Sequence, residues 1–203
     1  MSSKIKAPAK AKAKAPARKG RADAERNRQR LLEAAKAAFG ENGASTSLED
    51  IARAADVGIG TLYRHFPTRD ALIEAVYRHE VGQLAAAATQ LSARHPPLTA
   101  LREWLLVFVE YLGAKYGMAA VLNLLVGGAS ALYAESGAQM TQAITKLTKD
   151  AAASGDIRLD MEPLGLLRAL AGVMNGNPGP ESKRAARHLV DILIAGIRKK
   201  KPG

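Results

Sequence analysis

One short stretch of this sequence concentrates side chains that can bind a polyanion. The donors lie within five consecutive positions and comprise Thr61, Tyr63, Arg64 and His65. Hydroxyl, guanidinium and imidazole groups bind the phosphate oxygens and base edges of DNA. Gly60 lacks a side chain, so the protein backbone can approach DNA closely there. We therefore expect this segment to lie against a nucleic acid.

The residues around these donors have the pattern of a helix-turn-helix. Apolar residues at helical spacing predict a short helix over about 47–55 and a second one from Ile59 to His65. Between them, Asp-Val-Gly at 56–58 predicts a tight turn. Pro67 ends the second helix, because a residue before proline disfavours helical geometry. Such a motif, here at about 46–65, places its second helix in the major groove of DNA.

The first of these short helices has two candidate caps. Thr46 precedes Glu49 by three positions, and Ser47 precedes Asp50 by the same spacing. In either pair, the hydroxyl and the acid can satisfy free amide donors at the helix start. The sequence alone leaves the choice open.

One longer helix precedes this motif and another follows it. One carries apolar residues at helical spacing from Asp23 to Phe39 and ends at Gly40, and the other starts near Thr68. Further helical patterns follow, without a convincing strand. They include a short apolar helix at Met118–Val126 and the last two helices, at Pro163–Met174 and Glu181–Arg198. We therefore predict an all-α fold, with a three-helix DNA-binding domain over 22–80 and a helical ligand-binding and dimerisation domain over 81–203.

The stretch 47–66 identifies a family resemblance. It reads Ser-Leu-Glu-Asp-Ile-Ala-Arg-Ala-Ala-Asp-Val-Gly-Ile-Gly-Thr-Leu-Tyr-Arg-His-Phe and continues with Pro67, Thr68, Arg69 and Leu72. This closely resembles the signature of the TetR (tetracycline-repressor) family of transcriptional regulators. The resemblance is strong over about 23–80 and extends to the rest only as a pattern of helices.

The resemblance implies roles for individual residues. Three side chains are implied as phosphate contacts: Tyr63, His65 and Arg69. Four residues are implied as facing the bases or lining the groove: Ile59, Gly60, Thr61 and Arg64. Ser47, at the start of its helix, is implied as a further phosphate contact, and Leu62 and Phe66 as core.

Two positions depart from the usual family pattern. Gly58 stands where relatives usually have a hydroxyl or another polar residue, so it caps the second helix without a side-chain contact. Ile59 is apolar where many relatives are polar, and it could contact a thymine methyl group.

The positive charge is concentrated at the N-terminus. Residues 1–21 contain eight basic side chains and no acidic one, so only +3 of the net charge of +11 belongs to the rest. Pro8 and Pro16 should break any helix there. We expect a disordered basic arm over 1–21. It would either bind phosphates without sequence preference or serve as a solubilising leader.

The C-terminal half contains an aromatic stripe. Trp104 and Tyr111 lie beside each other on a helix whose main apolar stripe contains Leu105 and Phe108. Aromatic walls with a few polar groups suit a pocket for an unknown small-molecule effector, although ordinary core would give the same pattern. The candidate lining residues are Trp104, Phe108, Tyr111, Tyr116, Met118, Leu122 and Tyr133.

The last two helices are apolar over more of their circumference than packing within one domain requires. The excess predicts a homodimer interface, and the resemblance implies the same four-helix arrangement. The candidate interface residues are Leu167, Leu170, Met174, Leu189, Val190, Leu193, Ile194 and Ile197. A dimer of this kind would bind a near-palindromic site on double-stranded DNA.

The composition argues against several other classes of protein. There is no cysteine, no apolar run approaches a membrane span, and no apolar segment follows the basic N-terminus. These features suit a cytoplasmic protein that joins the nucleoid when bound to DNA. His79, His95 and His188 lack ligand spacing, so we expect no metal, and no group of residues suggests a cofactor or catalysis.

Three functions remain to be weighed. A ligand-gated repressor is favoured by the motif, a low-specificity architectural DNA-binding protein is permitted by the basic arm, and an enzyme lacks a catalytic constellation.

Overall fold

The computed structural model describes residues 15–175 and 179–199, with side chains from residue 20 onward. Every regular element in these ranges is helical, which confirms the all-α prediction. The α-helices are α1 Ala15–Asn42, α2 Leu48–Ala54, α3 Ile59–His65, α4 Arg69–Arg94, α5 Pro97–Gly117, α6 Ala119–Leu122, α7 Ser130–Ala153, α8 Pro163–Met174 and α9 Pro180–Ile197. A 3-10 turn, Gly43–Ser45, lies between α1 and α2.

Two predicted boundaries are wrong. Helix α1 begins at Ala15, so residues 15–21 of the expected disordered arm are helical, while residues 1–14 lie outside the described part. Pro16 is tolerated because the first helical turn has no internal acceptor for its missing N–H. The predicted apolar helix from Met118 to Val126 is shortened to α6, and a turn with positive φ at Gly127 and Gly128 ends the connection that follows it.

Helices α1, α2 and α3 form the core of the N-terminal domain with the start of α4. The side chains at their centre are completely or almost completely buried: Leu31, Phe39, Ile51, Leu62 and Phe66. These are the apolar positions of the periodic pattern, so burial explains why the two short helices are stable despite their length.

In the C-terminal domain α5 and α7 pack against α4, and α8 and α9 pack against α5 and against each other. Trp104 lies at its centre and is completely buried. The connection between α7 and α8 meets the end of α9, where the Arg158 amide donates to the Ile197 carbonyl at 2.8 Å and the Lys199 amide donates to the Asp156 carbonyl at 2.9 Å. Helix α4 belongs to both domains and is the main structural connection between them.

Over the ranges described, every helix is too short or too polar to cross a lipid bilayer.

Candidate nucleic-acid interface

The helix-turn-helix is held by one of the two candidate caps. The Ser47 hydroxyl oxygen accepts a hydrogen bond from the Asp50 amide at 3.0 Å, which caps α2. The Thr46 hydroxyl instead bonds to the carbonyls of Ala38 and Gly43, both at 2.9 Å. Thr46 therefore fixes the approach to α2, and Ser47 starts the helix.

The turn between α2 and α3 is fixed from outside the motif. Asp56 has a φ of 51°, a conformation that Asp tolerates better than most residues. Its carbonyl accepts a hydrogen bond from the Arg30 guanidinium at 2.6 Å. Gly58 then caps α3 through its backbone alone, as its carbonyl accepts from the Thr61 amide at 2.8 Å.

Helix α3 presents its predicted contact residues outward. Leu62 and Phe66 are buried against the domain, so the opposite side faces solvent. The exposed residues of this face are Ile59, Gly60, Tyr63 and Arg64, and the half-buried Thr61 and His65 lie beside them. An exposed polar face on a helix fixed at both ends is what insertion into a major groove requires.

Arg69 has a structural role that the sequence pattern did not reveal. Its guanidinium donates to the carbonyls of Thr46 at 2.5 Å and Ala44 at 3.0 Å, and it lies 5.1 Å from the centre of the Phe39 ring. It thereby ties the start of α4 to the segment before α2. Its contact with a phosphate stays a prediction.

Two arginines of α1 complete the surroundings of α3. The Arg28 guanidinium lies 5.6 Å from the centre of the Phe66 ring, and Arg30 bonds to the turn at Asp56. Sequence reasoning assigned them no role, because charged residues on a helix usually face solvent and only the tertiary contacts distinguish these two.

The aromatic stripe of α5 is packed as core. The completely buried Trp104 donates from its indole nitrogen to the Leu84 carbonyl at 2.9 Å, and its ring stacks on Phe108 with 6.0 Å between the ring centres. Met118 and Leu122 are also buried. Around these four residues the structure therefore matches the ordinary-core interpretation.

A small cavity lies nearby, between α4 and α7. It measures about 230 Å³ and is lined by Tyr77, Arg78, Val81, Gly82, Leu132, Glu135, Ser136 and Gln139. The Tyr77 hydroxyl lies 2.8 Å from that of Ser136 and 3.0 Å from that of Tyr111. The cavity thus combines the apolar side chains of Val81 and Leu132 with several hydrogen-bonding and charged groups.

Of the other predicted aromatic residues, Tyr111 belongs to this hydroxyl chain and Tyr133 packs against it. Burial and the hydrogen bond with Tyr77 raise the pKa of Tyr111, so its hydroxyl stays neutral. Tyr133 packs edge-on against Tyr77 with 5.7 Å between ring centres, and the Lys115 ammonium lies 4.6 Å from the centre of the Tyr133 ring. Burial lowers the pKa of Lys115. Tyr116 lies apart, with its hydroxyl 3.4 Å from the Ala171 carbonyl.

The predicted interface residues of α8 and α9 divide into two groups. Five of them are buried within the single chain and present no surface to a partner: Leu167, Leu170, Met174, Val190 and Ile194. Their assignment to an interface is corrected, because the fold uses them as its own core. Leu189, Leu193 and Ile197 are only partly buried.

Comparison with known proteins matches both halves of the chain to family profiles. Residues 31–76 match "Bacterial regulatory proteins, tetR family", and residues 96–199 match "Transcriptional regulator SbtR-like, C-terminal domain". Among curated proteins, the probable acrEF/envCD operon repressor of Escherichia coli is 34% identical over 108 residues, which are 52% of this chain and 49% of that protein. The chain thus spans about half the length of this curated relative.

Solved structures extend the similarity over most of the chain. The TetR transcriptional regulator SCO0520 from Streptomyces coelicolor is 42% identical, with a TM-score of 0.79 over 86% of this chain and 99% of that one. A TetR regulatory protein from Mycobacterium vanbaalenii is 31% identical, with a TM-score of 0.71 over 88% of this chain and 99% of that one. The chain therefore belongs to the TetR family of helix-turn-helix, DNA-binding transcriptional regulators.

Proposed function

We propose that this regulator is a homodimeric repressor that acts in the cytoplasm and is released from a near-palindromic operator by a small molecule. The observation that carries the proposal is the outward polar face of α3, which follows a turn that Arg30 fixes through the Asp56 carbonyl. The curated relative named as an operon repressor supports repression.

The exposed flanks of α8 and α9 support the dimer. At 100° per residue, Ala185, Leu189, Ile192 and Gly196 share one side of α9, about 130° from the centre of its buried stripe. Ile192 is 55% exposed although it is a large apolar side chain. Helix α8 adds the exposed Val173. A second apolar stripe of this kind is typical of helices that pack against a partner.

A direct test is to select DNA fragments with the purified protein and footprint the enriched sequence. The proposal predicts a site with two-fold symmetry and half-sites about one helical turn apart, ~34–36 Å, or a multiple of it. Transcription in vitro from a promoter that overlaps this site should fall when the protein is added. Stimulated transcription would contradict repression.

The same selection distinguishes the alternative function. A low-specificity architectural protein would bind random DNA nearly as tightly as the enriched site. A specific regulator should prefer its site by ~10³-fold or more at physiological salt.

For the effector, we propose the cavity beside Tyr77 and Ser136 rather than the stacked rings of Trp104 and Phe108. Its 230 Å³ suits a small molecule, and the hydroxyl chain to Tyr111 connects it to the rest of the aromatic cluster. A compound that binds here can release DNA only if its own affinity differs between the DNA-bound and the released conformation of the dimer.

A thermal-shift screen of small molecules, followed by titration with and without operator, tests this site. Effector and operator should weaken each other's binding by the same factor. The variant Tyr77→Phe should weaken the binding of the effector. Tyr116→Phe is the matched control, because that hydroxyl lies outside the cavity. Equal effector affinities with and without operator would contradict gating.

A further inference from the structure

The N-terminal half of α1 extends beyond the domain to which the helix belongs. The buried core residues of α1 start at Leu31, and none of the side chains at positions 20–30 is buried. The described helix nevertheless begins at Ala15. At 1.5 Å per residue, the segment from Ala15 to Arg30 is about 24 Å long.

This extension points away from the C-terminal domain. The other end of α1 meets that domain closely, since a Cβ atom on Gly117 would lie 3.6 Å from the Cα atom of Gly40. Lys36 also pairs with Glu80 of α4 at 2.7 Å. A helix of 28 residues is about 42 Å long, so its first residues lie far on the opposite side.

The base of the extension is fixed beside α3. Arg30 bonds to the carbonyl of Asp56 in the turn before α3, and the Arg28 guanidinium lies over the ring of Phe66 at the end of α3. The direction in which the extension leaves the domain is therefore set by contacts with both ends of α3.

The charge of the extension complements DNA. The extension, residues 15–30, contains six basic and two acidic side chains, so its net charge is +4. Arg21, Arg26 and Arg30 are exposed, and the acidic Asp23 forms an ion pair with Arg26. A surface of this charge that continues from a DNA-binding face favours phosphates as its partner.

We infer that the N-terminal half of α1 is a second DNA-binding element, which binds the phosphates that flank the half-site contacted by α3. The inference rests on the proposed function. The helical segment from Ala15 to Asn27 is about 20 Å long and can follow about six base pairs at 3.4 Å each. Because the helix is fixed at its base, it contacts DNA at a set distance from α3, unlike an unstructured charged arm.

Three variants of the full chain test the inference. The first, Arg18→Gln/Lys19→Gln/Arg21→Gln, removes three charges from the extension. The second, Ala24→Pro, breaks the helix and keeps every charge. The control, Arg94→Gln/Lys149→Gln/Lys199→Gln, removes the same number of charges from exposed positions remote from α3.

Hydroxyl-radical footprints on the selected operator and binding curves between 50 and 200 mM salt give the readout. The charge variant should lose protection on the flanks only, and the slope of log K against log salt should become shallower by up to ~2.7, about 0.9 for each lost contact. Ala24→Pro should also lose the flanking protection, although its charge is unchanged. The control should match the wild-type protein.

The outcomes separate this inference from the proposed function. If the charge variant protects both the half-sites and the flanks as the wild type does, the inference is overturned while the proposed function stands. Retained flanking protection in Ala24→Pro would show an unstructured charged arm and would likewise overturn it. A wild-type protein without any discrete footprint would overturn both.

Discussion

Among single side chains, Tyr63 and His65 differ from Arg64 in what they can recognise. Phosphate contacts position a protein on DNA without distinguishing sequences. We expect Tyr63→Phe and His65→Ala to weaken binding to operator and random DNA by similar factors. Competition assays with both DNAs measure this, and a loss at a single operator position would contradict the assigned roles.

Arg64 is the residue that we propose to recognise a base. It lies on the exposed face of α3, where its Nε atom donates to the Gly60 carbonyl at 3.2 Å and leaves the terminal nitrogens free of that bond. If it contacts guanine, Arg64→Ala should cost about 1–3 kcal/mol at one base pair. Binding to a set of single-base operator variants checks this prediction, whereas a uniform loss would make Arg64 a phosphate contact.

Gly58 can be replaced without strain. Its φ is −70°, and no described atom lies within 4 Å of the place that a Cβ would occupy. Gly58→Ser should therefore add a side-chain cap to α3 and stabilise the protein by a few tenths of a kcal/mol. Denaturant unfolding measures the change, with Gly58→Ala as the control that lacks the hydroxyl.

At the scale of elements, a cluster of charges joins α5 to α9. Arg187 bonds to Glu110 at 2.7 Å, and Lys183 pairs with the same carboxylate. Burial alone would raise the pKa of Glu110, but the hydrogen bonds from Lys183 and Arg187 outweigh it and lower this pKa below its usual range. The cluster stabilises the docking of α9, which carries the proposed dimer face.

This cluster predicts a pH dependence. Because the folded state lowers the pKa of Glu110, its contribution is present above the pKa of the unfolded chain and is lost as the pH falls through the lowered value. Glu110→Gln should destabilise the protein by less than about 1 kcal/mol at neutral pH, since the carboxylate is partly exposed. The free energies of unfolding of the variant and the wild type should differ at neutral pH and converge at acidic pH. A difference that stays constant with pH would contradict the assignment.

The ends of a helix could be predicted where a glycine or a proline stops it. The ends of α3 follow from Gly58 and Pro67, and α8 spans the predicted residues. The start of α1 could not be predicted, because the segment is rich in lysine, alanine and proline and has no spacing of large apolar residues that would indicate a helix. Core and pocket could not be distinguished around Trp104 from the sequence, since both give the same aromatic spacing. Its complete burial, its stacking on Phe108 and its bond to Leu84 assign it to the core.

For the whole molecule, the apolar flank of α9 gives the sharpest test of assembly. Leu193 and Ile197 pack partly on their own domain, so Leu193→Asp or Ile197→Asp could also unfold the chain. Ile192 is 55% exposed, so Ile192→Asp should leave the fold intact and break the dimer by burying an unpaired charge. Sedimentation at micromolar concentration measures this, with the exposed Arg184→Asp as control. A dimeric Ile192→Asp would place the interface elsewhere.

The length of α4 determines how small a conformational change would suffice for the proposed effector to alter DNA binding. Helix α4 has 26 residues and is about 39 Å long, with its second half in the C-terminal domain and its start tied by Arg69 to the segment before α2. A rigid rod of this length that tilts by about 5° moves its end by about 3.4 Å, the rise of one base pair. In the proposed dimer, a tilt of only a few degrees at the cavity would therefore shift the register between the two half-sites by about one base pair.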